Sequence, residues 1–182
     1  MDYRLAPEHP FPAALEDSMA VYQWLISREG GKCLPSEVAI AGDSAGGGLT
    51  MATLLQIKNL GLPQPACAVG LSPWVDLTLS SASWEENAQF DYLPKPGAVK
   101  FVQAYAQAED PRNPLISPLF GDFKGLPPVL IQVGDAEALR DEGIALAEKV
   151  CLESLFLFFA GELIHVSAID ERGWSGDIAG GL

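Results

Sequence analysis

Cysteine, histidine and basic residues are all scarce in this sequence. The three cysteines, Cys33, Cys67 and Cys151, lie far apart with no Cys-x-x-Cys pair. That excludes a zinc site of the usual spacing and a disulfide framework, and leaves reduced, buried thiols as the expectation. Only 11 lysines and arginines stand against 24 aspartates and glutamates, for a net charge of −13. Such a field repels phosphate backbones and anionic lipid, so nucleic acid is not an expected partner, and a solvated acidic surface accounts for the charge. Apolar runs are short: the longest lie near 66–71 and 155–160, well under the roughly 18 residues that span a bilayer. Met1-Asp2-Tyr3-Arg4 does not open an apolar signal segment, and a cytoplasmic location is expected.

What is present is a globular composition, with 48% apolar residues, 18 glycines and 14 prolines in a chain of 182. One core is expected at that length. Four short apolar stretches read as buried strands at 38–41, 67–71, 129–133 and 155–159. Helical patterns at 13–27, 47–60, 96–108 and 139–151 alternate with them, and each is long enough for a crossover between parallel strands. The class is therefore α/β, with a mostly parallel sheet and helices on both faces. Residues 2–5 look like the exit of a further strand. The least regular stretch, 78–96, carries Trp84, Phe90 and Tyr92 and reads as a surface insertion that forms part of a lid or pocket wall.

One stretch carries chemistry. The strand ending at Ala41 runs into Gly42-Asp43-Ser44-Ala45-Gly46-Gly47-Gly48, after which a helix pattern begins. This is the G-x-S-x-G nucleophile elbow, in which a tight strand-to-helix turn forces the serine out of the sheet. Small residues at Gly42 and Gly46 let the backbone pass, and the Ala45 N–H is placed to donate to a developing oxyanion. The bare pattern arises by chance in about one chain of this length in ten or twenty, so context decides. A phosphate loop starting at Gly42 needs Lys at Gly48 and Ser or Thr at Leu49, and a dinucleotide fingerprint needs glycine at Ser44; both fail.

A serine hydrolase of this layout takes its acid after a later strand and its histidine after the last one. There are two histidines. His9 precedes the serine among Pro7, Pro10 and Pro12 and reads as part of a turn; His165 follows the last strand and is the candidate general base. Asp135 and Glu137, directly after 129–133, both fit the acid, whose task is to orient the imidazole and stabilise its cation. Asp141 and Glu142 fall in the first turn of the next helix, where complementing the helix dipole explains them.

These residues carry a family resemblance. Asp2-Tyr3-Arg4-Leu5-Ala6-Pro7-Glu8-His9-Pro10-Phe11-Pro12-Ala13, Gly42-Asp43-Ser44-Ala45-Gly46-Gly47, Asn113-Pro114-Leu115-Ile116-Ser117-Pro118-Leu119, Leu139-Arg140-Asp141-Glu142-Gly143 and Ile164-His165-Val166 resemble segments of the hormone-sensitive-lipase-like α/β-hydrolase esterases, bacterial esterase family IV. The resemblance implies a carboxylesterase that cleaves neutral short- to medium-chain esters through an acyl-serine, with no metal or organic cofactor. It implies a small-molecule ester as partner, with a homodimer as the candidate assembly. Read without a gap, its acid pattern falls on Glu137, although the spacing from Asp135 to His165 is closer to the family's habit; the margin favours Glu137. The resemblance also implies an upstream His-Gly-Gly-Gly oxyanion loop and a closing helix after the histidine, and neither pattern occurs in these residues. The expectation is thus a partial catalytic unit over 1–166, lacking the N-terminal oxyanion-loop region, and an irregular tail over 167–182. The rival expectation is a catalytically silent fragment with at most a binding role, since each lost oxyanion donor costs about 10²- to 10³-fold.

Overall fold

The computed structural model describes residues 1–153 and 156–160. Nine main elements follow one another as α1 (Ala13–Ile26), β1 (Ala39–Asp43), α2 (Ala45–Asn59), β2 (Cys67–Leu71), α3 (Ser83–Glu86), α4 (Lys95–Ala106), β3 (Val129–Val133), α5 (Arg140–Glu153) and β4 (Phe156–Ala160). The four strands form one parallel sheet in the order β1-β2-β3-β4. Parallel neighbours need crossovers, and the segments between them supply α2, then α3 and α4, then α5. The α/β class and the parallel sheet read from the sequence are what the structure holds.

Register fixes which side chains meet. Ile40, Ala68 and Val129 lie in line across three strands, as do Gly42, Gly70 and Ile131, so these residues share a face. Against that face pack Met51, Leu54 and Leu55 of α2 and Leu146, Ala147 and Val150 of α5, closed by Phe123 and Leu126. α1 lies outside α2, with Leu15, Met19 and Tyr22 on Ala52 and Ile57. Between the two helices the buried hydroxyls of Ser18 and Thr53 bond at 2.7 Å, pairing groups that would each be costly to bury alone. Covered on both sides, α2 is buried at almost every position from Gly47 to Ile57. The other sheet face carries Ala39, Ala41 and Leu71, and Leu71 is 42% exposed.

Three expectations change. Residues 2–5 form no strand; instead Arg4 binds Asp17 through Nε (3.0 Å) and Nη2 (2.8 Å) and reaches Glu16 at 3.0 Å, tying the segment to α1. The stretch 78–96 lies at the surface only in part: Phe90 and Tyr92 are 66% and 93% exposed, but Trp84 is 1% exposed and its ring lies 5.9 Å from that of Trp74, which anchors the segment in the core. The cysteines are free but half-buried, not buried. Among the described residues no helix is long and apolar enough to cross a membrane.

Candidate active site

The nucleophile candidate sits where the sequence reading puts it, in a strained backbone. Ser44 has φ 52° and ψ −120°, between the last residue of β1 and the first of α2. An L residue held there costs on the order of 1–3 kcal/mol and needs its surroundings to enforce it. Three hydrogen bonds do so: Ser44 N–H donates to the Leu71 carbonyl (2.9 Å), and the Ser44 carbonyl accepts from Gly48 (3.1 Å) and from Trp74 (2.9 Å). With its backbone fully committed, the hydroxyl makes no hydrogen bond among the described residues. At the start of α2 the Ala45 N–H has no intrahelical acceptor, as the first amides of any helix must, and none among the other described residues.

The glycines divide differently from the expectation. A Cβ on Gly42 would stand 2.2 Å from the Gly46 carbonyl oxygen, so that position does need glycine. At Gly46 the nearest atom would be the Tyr3 hydroxyl at 4.0 Å, and a side chain has room. The crowding lies further along: a Cβ on Gly47 would meet Pro73 at 2.8 Å, and one on Gly48 the Trp74 carbonyl oxygen at 2.1 Å. The helix starts at Ala45 rather than Gly47 because this glycine run presses against the loop leaving β2. Asp43 is exposed beside it.

Ser44 and Ala45 line a cavity of about 420 Å³, walled by Tyr3, Trp74, Tyr92, Phe101, Tyr105 and Ile116 among others. Its lining is largely apolar, and Tyr92 and Leu93 bring the stretch 78–96 into the wall as expected. Tyr105 stands edge-on to Phe11 with centroids 6.0 Å apart; burial, helped by nearby Tyr3, pushes its hydroxyl pKa up to about 12. It is therefore a neutral group at any ordinary pH.

Two strands across from the elbow, β3 delivers the acid candidates to the same carboxyl-terminal edge of the sheet, where open parallel sheets place their ligands. Glu137 is half-buried, and its Oε1 accepts the Gly134 N–H at 2.9 Å, leaving Oε2 without a partner among the described residues. Asp135 is exposed, and only its carbonyl is engaged, by Asn87 and Arg140. His165 lies outside the described residues. His9 is in a turn, its N–H on the Leu5 carbonyl at 2.9 Å.

The reading of Glu142 as a dipole complement is overturned: it is fully buried, and its Oε2 accepts the N–H groups of Val75 and Asp76 in the loop after β2. Asp141 takes the Ser83 N–H and the Arg140 Nε. Among the described residues no three His, Cys, Asp or Glu side chains form a cluster that could hold a metal.

Residues 1–153 match the family described as the alpha/beta hydrolase fold. An acetyl-hydrolase of Streptomyces hygroscopicus is 44% identical over 81% of this chain and 49% of its own length. An esterase of Acinetobacter venetianus is 40% identical over 82% and 49%. Among solved structures, an esterase from the bacterial hormone-sensitive lipase family superposes with a TM-score of 0.81 at 40% identity, covering 90% of this chain and 55% of that one. A hormone-sensitive lipase from a metagenome library gives 0.80 at 44%, covering 91% and 57%. The chain thus spans about half the length of these relatives, and with strand order, elbow and sequence in agreement it belongs to the α/β-hydrolase fold family.

Proposed function

We propose that this chain is the nucleophile-to-histidine part of a serine carboxylesterase acting on neutral short- to medium-chain esters. Ser44 Oγ attacks the ester carbonyl while His165 takes its proton; the tetrahedral oxyanion receives the Ala45 N–H. Collapse of that intermediate breaks the bond to the alkoxy oxygen, which leaves as the alcohol with the proton from His165. Water then repeats the sequence on the acyl-serine, with His165 again as base and acid. Glu137 holds the imidazole in the tautomer that accepts from serine and stabilises its cation. Support for Glu137 over Asp135 is its half-buried carboxylate, with one oxygen fixed by Gly134 and the other open.

The observation that carries the reading is the strained Ser44, with an uncommitted hydroxyl beside the open Ala45 N–H on the lining of an apolar cavity. An apolar wall with few polar groups favours neutral substrates. Residues 1–166 form the catalytic unit of this reading and 167–182 a tail. Free, dispersed cysteines support a reducing compartment such as the cytoplasm. A fluorophosphonate probe tests the assignment: it should label the 182-residue chain and not Ser44→Ala. Equal labelling of both would remove Ser44 as nucleophile, and labelling of neither would favour a silent fragment.

A further inference from the structure

We infer that Asn87, with Ser83 and Asp91, is a positioning residue for the catalytic carboxylate, a strap that fixes the turn carrying Glu137. The inference rests on the reading of Glu137 as the acid of the serine mechanism.

The turn from β3 into α5 exposes backbone groups that the strand and helix leave open or only partly met; the Glu137 carbonyl accepts the Arg140 N–H at 3.2 Å. One segment meets them with side chains. Asn87 Nδ2 donates to the Asp135 carbonyl (3.0 Å) and the Glu137 carbonyl (2.7 Å). Asp91 Oδ2 accepts the Ala138 N–H at 2.7 Å. Ser83 Oγ donates to the Ala138 carbonyl at 2.6 Å and accepts the Asp141 N–H at 3.3 Å. The peptide between Glu137 and Ala138 is therefore held at its carbonyl by Asn87 and at its N–H by Asp91, while Gly134 N–H holds the Glu137 carboxylate. Glu137 is pinned on three sides, and each pin leaves Oε2 free.

The three strap residues stand four apart in sequence. Asn87 N–H bonds the Ser83 carbonyl and Asp91 N–H the Asn87 carbonyl, both at 3.0 Å, so helical spacing sets their side chains on one face. Ser83 and Asn87 are 0% and 6% exposed, where water cannot replace a lost bond cheaply. Asparagine suits its place because a neutral amide has two donors to spread over two carbonyls; aspartate there has none. The strap continues directly into Tyr92 and Leu93, which line the cavity with Ser44. Pocket wall and acid turn are thus one fastened unit.

The test measures the rate of Ser44 inactivation by a fluorophosphonate against pH on the full chain, beside the thermal midpoint. A histidine that loses its carboxylate partner titrates lower, so Glu137→Gln should shift the acid limb to lower pH. Asn87→Ala and Asn87→Asp should shift it the same way and slow inactivation at pH 8 by about 10- to 100-fold, as small misplacements of a catalytic group do. Tyr22→Phe, which loses a bond to the Pro63 carbonyl beneath α1, should lower the melting point without moving the limb. Should the Asn87 variants not fold, Asp91→Ala should show the full shift and Asp91→Asn a smaller one, because its single amide oxygen serves either the Ala138 or the Leu93 N–H where the two carboxylate oxygens serve both. If Glu137→Gln moves the limb and neither the Asn87 nor the Asp91→Ala variants do, the strap is structural only and the inference is overturned. A wild-type chain that takes no label overturns the esterase reading and this inference with it.

Discussion

The carboxyl group of Glu142 meets the backbone N–H of Val75 at 3.0 Å, so a side chain in the first turn of α5 closes the loop that leaves β2. Burial pushes its pKa well above the ordinary value near 4.5; the N–H groups of Asp76 and Val75 pull against this, and the Asp76 carboxylate adds to it. Its Oε1 has no partner among the described residues. A native state that binds the proton more tightly than the unfolded chain is most stable below the unfolded pKa and loses stability as pH rises through the native one. Urea midpoints measured upward from about pH 4 should therefore fall in wild type. Glu142→Gln, which keeps an acceptor for both N–H groups and has no charge to bury, should remove that fall and be the more stable protein at the alkaline end. Glu142→Ala should cost about 2–4 kcal/mol by leaving a void and two unpaired donors. A pH-independent wild type would contradict the argument.

At the elbow, alanine at one position should be accepted and at two others refused. Gly46→Ala has space and lies in helix, so urea unfolding should show no loss and up to about 1 kcal/mol of gain. Gly42→Ala and Gly48→Ala drive a methyl group into backbone oxygen 2.2 and 2.1 Å away and should cost about 2 kcal/mol or more, with loss of labelling at Ser44. Equal tolerance at all three would mean that the elbow relaxes freely.

The choice of acid has a direct comparison. Glu137→Gln should lower hydrolysis of p-nitrophenyl acetate by roughly 10⁴-fold, the scale seen when a triad acid becomes an amide. Asp135→Asn should stay within about twofold of wild type, because that carboxylate is exposed and holds nothing. The reverse pattern would move the role to Asp135.

Hydrolysis should also fall as pH drops through about 6 to 7, since His165 must be neutral to take the serine proton. A rate profile flat between about pH 5 and 8 would assign the hydrolysis to some other group.

The strands and the elbow were legible because each is written in local sequence. β2 and β3 have the bounds that apolar runs between turn residues predict, and the other two lie one or two residues further along. Ser44 was legible from a glycine pattern at a strand-to-helix junction. The helix starting at Ala45 was legible from the elbow motif and not from helical periodicity, which begins at Gly47, because three glycines oppose helix by up to about 1 kcal/mol each, and it takes Pro73 and Trp74, distant in sequence, to hold them. Glu142 misled for a related reason: an acidic residue in a first helical turn looks solvated until a loop more than 60 residues earlier is folded over it. Ser83, Asn87 and Asp91 did leave a signal, short polar side chains at helical spacing beside a tryptophan, but their meaning lies in a turn some 50 residues away.

Ser44 donates to Leu71, accepts from Trp74 and so belongs mechanically to β2 and its exit loop as much as to its own strand. In hydrogen exchange, the Ser44 amide is then not released by fraying at the start of α2. It is freed only when β1 and β2 part, so its protection should report the pairing of those two strands rather than the first turn of α2.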